Sequence, residues 1–152
     1  MAHPEERLAE LGLSVPEVAT PVAVYIPAVR SGSHVFTSGQ LPMRSGELMA
    51  TGKVGGDVTQ EEAAACAQQC GLNAIAAVKA EIGDLAAVKR VVKVVCFVAS
   101  TPDFTGQPQV ANGVSELLGT VFGDAGVHAR SAVGVSVLPL DAPVEVELVV
   151  EV

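Results

Sequence analysis

Arg130 stands just ahead of an apolar run, residues 132–138, and a second apolar run from Val144 carries Glu145, Glu147 and Glu151 on alternate positions. A guanidinium beside apolar strands is snorkelling, paired with a carboxylate of the next strand, or held for an anion, and spacing by itself leaves these readings open. Glutamates at every second position share one face of a strand, and a solvated face is the ordinary reading of Glu147 and Glu151. Three cysteines complete the reactive inventory: Cys66 and Cys70 lie four apart in a helical pattern, and Cys96 sits in an apolar strand pattern. An odd number of cysteines without a secretory signal predicts reduced, structural thiols rather than a disulfide framework. His3, His34 and His128 are scattered, and none has the spacing of a zinc ligand pair, so no metal site is predicted.

The chain that must position these groups has 152 residues, 49% of them hydrophobic and 17% charged. An average globular chain is about 25% charged, so this composition predicts one domain with unusually extensive burial. A formal net charge of -8, with no basic cluster larger than Lys89 and Arg90, argues against nucleic acid as a partner. No apolar run approaches the ~20 residues needed to span a bilayer, and "MAHPEERLAELGLS" has neither a basic region nor a hydrophobic signal core. The expectation is a cytoplasmic protein with no membrane contact.

Pro4 followed by Leu8, Leu11 and Leu13 predicts a short N-terminal helix. The stretches 21–29 and 34–41 read as a hairpin around "RSGS", with Pro27 demoting the first strand to an edge. Thr59 followed by Glu62 has capping-box spacing and opens a helix over residues 60–81, which Gly83 stops. Along that helix Cys66, Cys70, Ala74, Ala77 and Val78 form a face small enough to lie close against a sheet. "RVVKVVCFVAS" is apolar at nearly every position, as in a strand covered on both sides. Val110, Val114, Leu117, Leu118 and Val121 recur at helical intervals, predicting a second helix with Asn112 near its start, where an asparagine ordinarily caps. Two final strands, residues 130–138 and 144–152, are joined by "PLDAP" and suggest a hairpin. Helices then suffice for at most one face of a five-stranded sheet, and the other must close on itself or be buried by another subunit.

Several of these pieces coincide with a known pattern: "FTSGQLP" from Phe36, "VVKVVCFVAS" from Val91 with "DF" at Asp103, Asn112, "ARS" at Ala129 and "VEVE" at Val144. From about Tyr25 to Val152 the sequence resembles the reactive intermediate deaminase family, also called RidA or YjgF-like, and residues 1–20 resemble the N-terminal extension of a longer branch. The resemblance implies an α+β, chorismate-mutase-like mixed sheet with two helices on one face, in a homotrimer whose sheets form a central barrel with three clefts between subunits. It implies hydrolysis of reactive enamines and imines to 2-oxo acids and ammonia, with no cofactor and a small 2-imino or 2-oxo acid as ligand. Arg130 then grips the substrate carboxylate, and Glu145 orients or deprotonates the attacking water. Tyr25, thirteen residues before Ser38, lines the cleft with Ser38, Gly39 and Asn112, although a lone tyrosine also reads as packing at a sheet edge. Should Arg130 lie within hydrogen-bonding reach, it would depress the pKa of Glu145 by ~1–3 units. Where the best-defined branch has a cysteine two residues after the arginine, this chain has Ala132, whose backbone amide alone remains as a ligand contact. That departure keeps a second reading open, a non-catalytic protein that binds or senses small carboxylates.

Overall fold

The computed structural model describes residues 2–21 and 23–152 of the chain. Its elements run α1 (Pro4–Glu10), β1 (Ala28–Ser31), β2 (His34–Thr37), β3 (Met43–Arg44), β4 (Glu47–Leu48), α2 (Gln60–Ile82), β5 (Arg90–Ala99), α3 (Gln107–Phe122), β6 (Ala129–Val135) and β7 (Val144–Glu151). The fold is α+β: a mixed five-stranded sheet in the order β1-β2-β7-β5-β6, with α2 and α3 on one face and the short α1 packed on α3.

Local chemistry sets the helices. Thr59 Oγ1 accepts from the Glu62 N–H at 3.1 Å, while the Glu62 carboxylate accepts from the Thr59 N–H at 2.8 Å, so two orphan donors are satisfied at the start of α2. Gly83 ends it in the left-handed region, at φ 84°. Helix α3 begins at Gln107, two residues before the expected segment, because Pro108 fits its first turn. Asn112 therefore lies within the helix and is not its cap.

The two helices approach closely because each offers a glycine to the other. A Cβ on Gly113 would lie 2.0 Å from the Ala64 carbonyl oxygen, and one on Gly71 would lie 2.8 Å from a Val114 methyl. Helix α2 is consequently buried on more than its sheet-facing side, and every residue from Gln69 to Val78 is buried. Backbone cannot give way as a flexible side chain can, so Gly113→Ala is expected to destabilise the fold by about 1–3 kcal/mol or more. A lowered denaturant midpoint with an unchanged m-value would report it.

The strands depart from the sequence reading in two respects. Of the strand expected over residues 21–29, Val22 lies outside the described residues and the ladder begins only at Ala28, after Pro27; the resulting β1 is an edge strand. The last two strands are not a hairpin. Strand β5 lies between them, pairing in parallel with β6 and antiparallel with β7, while β7 inserts beside β2. A parallel pair needs a long crossover, and α3 supplies it between β5 and β6. Along β5 and β7 the residues alternate: Val94, Cys96, Val98, Val144, Val146 and Leu148 are buried under the helices, whereas Val95, Phe97, Glu145, Glu147 and Val149 face the other way and are half-buried. With Val29 and Phe36, 51% and 44% exposed on that second face, the single chain leaves much of its apolar surface open.

One short element escaped the sequence reading. Strands β3 and β4 form a two-residue hairpin at Ser45 and Gly46, with φ 52° and 82°. Positive φ at both central residues is the turn form that matches strand twist.

Candidate functional site

The described chain holds the predicted residues as two separate groups. Arg130 is the second residue of β6 and lies in register with Val94, so its side chain points to the helix side of the sheet. There Nη1 donates to Asn112 Oδ1 at 2.8 Å and to Ser115 Oγ at 3.1 Å, and Nη2 donates to the Pro108 carbonyl at 3.2 Å. Ser115 is itself held by His128. The His128 Nδ1 lies 2.6 Å from the Gly126 carbonyl, which only accepts, so that nitrogen carries the proton. Nε2, 2.9 Å from Ser115 Oγ, is then placed to take the Ser115 O–H, and the serine oxygen to accept from Arg130. The guanidinium is thus fixed by α3 and by the loop that leads into β6.

Ala132 lies two residues on, in register with Cys96 on the same face. Cys96 is therefore the thiol nearest the position where the family pattern has its cysteine. It is fully buried, and burial pushes its pKa up to about 12, so no thiolate is on offer there. Burial likewise raises Cys66, to about 11, and Cys70, whose thiol donates to the Val144 carbonyl. All three cysteines are free.

The second group surrounds a break in the β2–β7 ladder. After Phe36 pairs with Val149, the chain gains one residue before Gln40 bridges Val146. Thr37 Oγ1 fills the gap by accepting from the Leu148 N–H at 3.0 Å. Such a bulge re-aims the residues that follow. Ser38 is turned back on the preceding segment: its N–H donates to the Pro27 carbonyl at 2.8 Å and its hydroxyl to the Ile26 carbonyl at 2.5 Å. It therefore anchors the stretch bearing Tyr25. Gly39 packs against Glu145, and a Cβ there would lie 2.0 Å from Glu145 Oε1. The missing side chain is what gives the carboxylate its place.

Glu145, Gly39 and Tyr25 line a cavity of about 950 Å³. Residues 12–14 and 16–21 form one wall, and Leu41, Met43, Arg44, Gln69, Leu72 and Asn73 contribute to the rest. The Glu145 carboxyl titrates above its ordinary range, chiefly because it is half-buried and secondly because of the Glu147 carboxylate. Within one chain Arg130 is out of reach of Glu145, so its charge does not act on this carboxyl. Glu145 is in register with Phe97 on the face opposite Arg130, two strands away. Among the described residues no cluster of three or more His, Cys, Asp or Glu could hold a metal, and no helix is long and apolar enough to cross a membrane.

A family model for YjgF/chorismate mutase-like proteins, which also carries an endoribonuclease label, matches residues 5–152. The chain belongs to the YjgF/RidA-like family. Protein TCP17 of Trypanosoma cruzi is 46% identical over 145 residues, 95% of this chain and 91% of that protein. A 2-iminobutanoate/2-iminopropanoate deaminase of Dermatophagoides farinae is 34% identical over 140 residues, 91% of this chain and 93% of that protein. The crystal structure of a protein of unknown function from Agrobacterium tumefaciens is similar with a TM-score of 0.92 and 46% identity, over 98% of this chain and 92% of that one. The YjgF/RidA-like match takes in most of the stretch read as an N-terminal extension, and the structure gives that stretch a place in the cavity wall.

Of the residues that the family pattern picked out, Arg130, Asn112 and Ala132 stand together on the helix side, and Tyr25, Gly39 and Glu145 stand together at the cavity. One chain does not join the two groups. The sequence reading weighed His128 only as a metal ligand and passed over Ser115, which stands on the helix one turn beyond Asn112. It also passed over Arg44, Gln69 and Asn73.

Proposed function

We propose that this chain hydrolyses reactive 2-imino acids, and the enamines that tautomerise to them, to 2-oxo acids and ammonia, in clefts between the subunits of a homotrimer. The observation that carries the reading is the state of Arg130. Among the described residues three of its five N–H donors are taken by α3, which leaves Nε–H and one Nη2–H, enough for a two-point grip on a carboxylate. The likeness to an imine deaminase supports the same substrate class. The two-group arrangement supports a shared site, since Arg130 of one copy can meet Glu145 only of another, and the open sheet face gives copies an apolar surface to bury.

In this site Arg130 holds the carboxylate, and Glu145 takes a proton from a water as its oxygen bonds to the electrophilic iminium carbon. The C=N π electrons move to nitrogen. Glu145 returns the proton to that nitrogen, the C–N bond breaks, and the carbinolamine hydroxyl loses its proton to the departing ammonia as C=O forms. Iminium and water are thus converted to oxo acid and ammonium. Protonated imines already hydrolyse in water, so positioning and modest base catalysis are enough.

The test is ammonia release from 2-iminobutanoate generated in situ by an amino-acid oxidase. The purified chain is expected to speed release beyond the buffer rate in proportion to its concentration, and an unchanged rate would reject turnover.

A further inference from the structure

The cavity beside Glu145 is larger than a four-carbon imino acid needs: at about 950 Å³ it lies at the upper end of ligand-sized pockets. Its lining carries one cation among the described residues, Arg44, together with Glu17 and Glu145. Arg44 is on the β3–β4 hairpin opposite Glu47, yet no ion pair involves it among the described residues. Its Nε donates to Gln69 Oε1 at a long 3.5 Å, and no bond from either terminal nitrogen is found among the described residues.

The groups behind it form a directed chain. Asn73 Nδ2 donates to the carbonyls of both Leu41 and Met43, each at 3.0 Å, so its Oδ1 must face Gln69. Gln69 meets that oxygen with Nε2 at 3.2 Å, which leaves its own Oε1 turned toward the guanidinium. Gln69 is 7% exposed and Asn73 2% exposed, so the orientation is locked in the core. A buried amide pair thus backs the guanidinium of Arg44, a residue that lines the same cavity as Leu13, Pro16, Val18 and Pro21. An exposed arginine backed by buried amides and open in front, at a recess lined by polar and apolar groups alike, has the chemistry of an anion subsite.

We propose that Arg44 is a specificity-determining residue that grips a distal acidic group, so that the site favours 2-imino and 2-oxo acids with a second carboxylate over those with a plain alkyl chain. This rests on the reading of Glu145 and its cavity as part of the substrate site. The N-terminal wall encloses the carbons between the two acidic groups, which gives residues 12–21 a part in selectivity.

The deciding experiment has a binding arm and a turnover arm on the full chain. By calorimetry, 2-oxoglutarate is expected to bind more tightly than 2-oxobutanoate, and Arg44→Gln to weaken 2-oxoglutarate about 10–100-fold, as loss of a charge-assisted contact does, with a much smaller effect on 2-oxobutanoate. In turnover, the ratio of kcat/KM for 2-iminoglutarate to that for 2-iminobutanoate should fall by a similar factor, carried mainly by KM. Equal weakening of both ligands, or no preference for the diacid in the unaltered chain, would overturn the proposal. If neither imine is hydrolysed, the deaminase reading fails while the binding arm still decides the role of Arg44.

Discussion

Arg130→Ala is expected to lower kcat/KM for 2-imino acids by about 10²–10³-fold, with folding largely intact. The magnitude follows from losing a two-point, charge-assisted grip worth about 3–4 kcal/mol, at 1.36 kcal/mol per decade of rate. Arg130→Lys should recover little, because an ammonium on a flexible stem cannot reproduce a planar fork held at Asn112, Ser115 and the Pro108 carbonyl. Stability should change by only about 1 kcal/mol, since the site is half-exposed and water can replace the lost donors. A second measurement separates a shared cleft from a site within one chain. If Arg130 and Glu145 act from different copies, two inactive variants, Arg130→Ala and Glu145→Gln, should complement each other when their subunits are exchanged. With random mixing in a ring of head-to-tail contacts, about one cleft in four receives both intact residues and activity recovers to about that fraction. No recovery, with exchange verified, would place the site within a single copy; an unchanged rate in Arg130→Ala would remove that residue from the site altogether.

How much of this was legible in the sequence depends on how far each feature reaches along the chain. The Thr59–Glu62 capping box, the Gly83 stop and the hairpin around Gly32 are local, and the residues that make them are only a few positions apart. The open sheet face was legible too, because an excess of apolar strand positions over helical cover is a matter of counting. What the chain hid is non-local. Residues 130–138 and 144–152 read as neighbours because a short turn joins them, yet β5 comes between, and its register, with Arg130 opposite Val94 and Glu145 opposite Phe97, puts the two on opposite faces. Nothing within either strand encodes that separation. For the same reason the burial that raises the pKa of Glu145 within the chain was hidden, whereas the Arg130 charge, which lowers it only where the two groups meet, was legible. Asn112 shows a subtler limit. An asparagine near a helix start ordinarily caps, and only the early start at Gln107 frees its side chain for the arginine. The N-terminal wall and Arg44 were invisible, one because residues 12–21 have no regular structure to predict, the other because a two-residue strand has too short a period to detect.

Glu145→Gln is expected to reduce kcat by about 10²–10⁴-fold, the range in which a positioned general base contributes. The amide keeps the size and the hydrogen-bonding oxygen but cannot take a proton, so binding of 2-oxobutanoate should survive while turnover does not. The pH dependence gives the sharper readout. A base must be ionised, and within the chain burial together with Glu147 raises the pKa of this one, so activity should fall on the acid side as the carboxyl takes up its proton. Replacing Glu147 by glutamine removes the like charge that adds to the shift, and the acid limb should then move to lower pH. In the shared cleft, Arg130 of a neighbouring copy acts in the same direction as that replacement. The residual activity of Arg130→Ala should therefore show its acid limb above that of the unaltered protein. Gly39→Ala tests the position of the carboxylate independently of its titration. The new Cβ would fall 2.0 Å from Oε1, so the carboxylate must swing away, and kcat should fall while both charges are retained. If the limb stays in place in Glu147→Gln and in Arg130→Ala alike, the group that titrates is not Glu145, and the water must be activated from another part of the cleft.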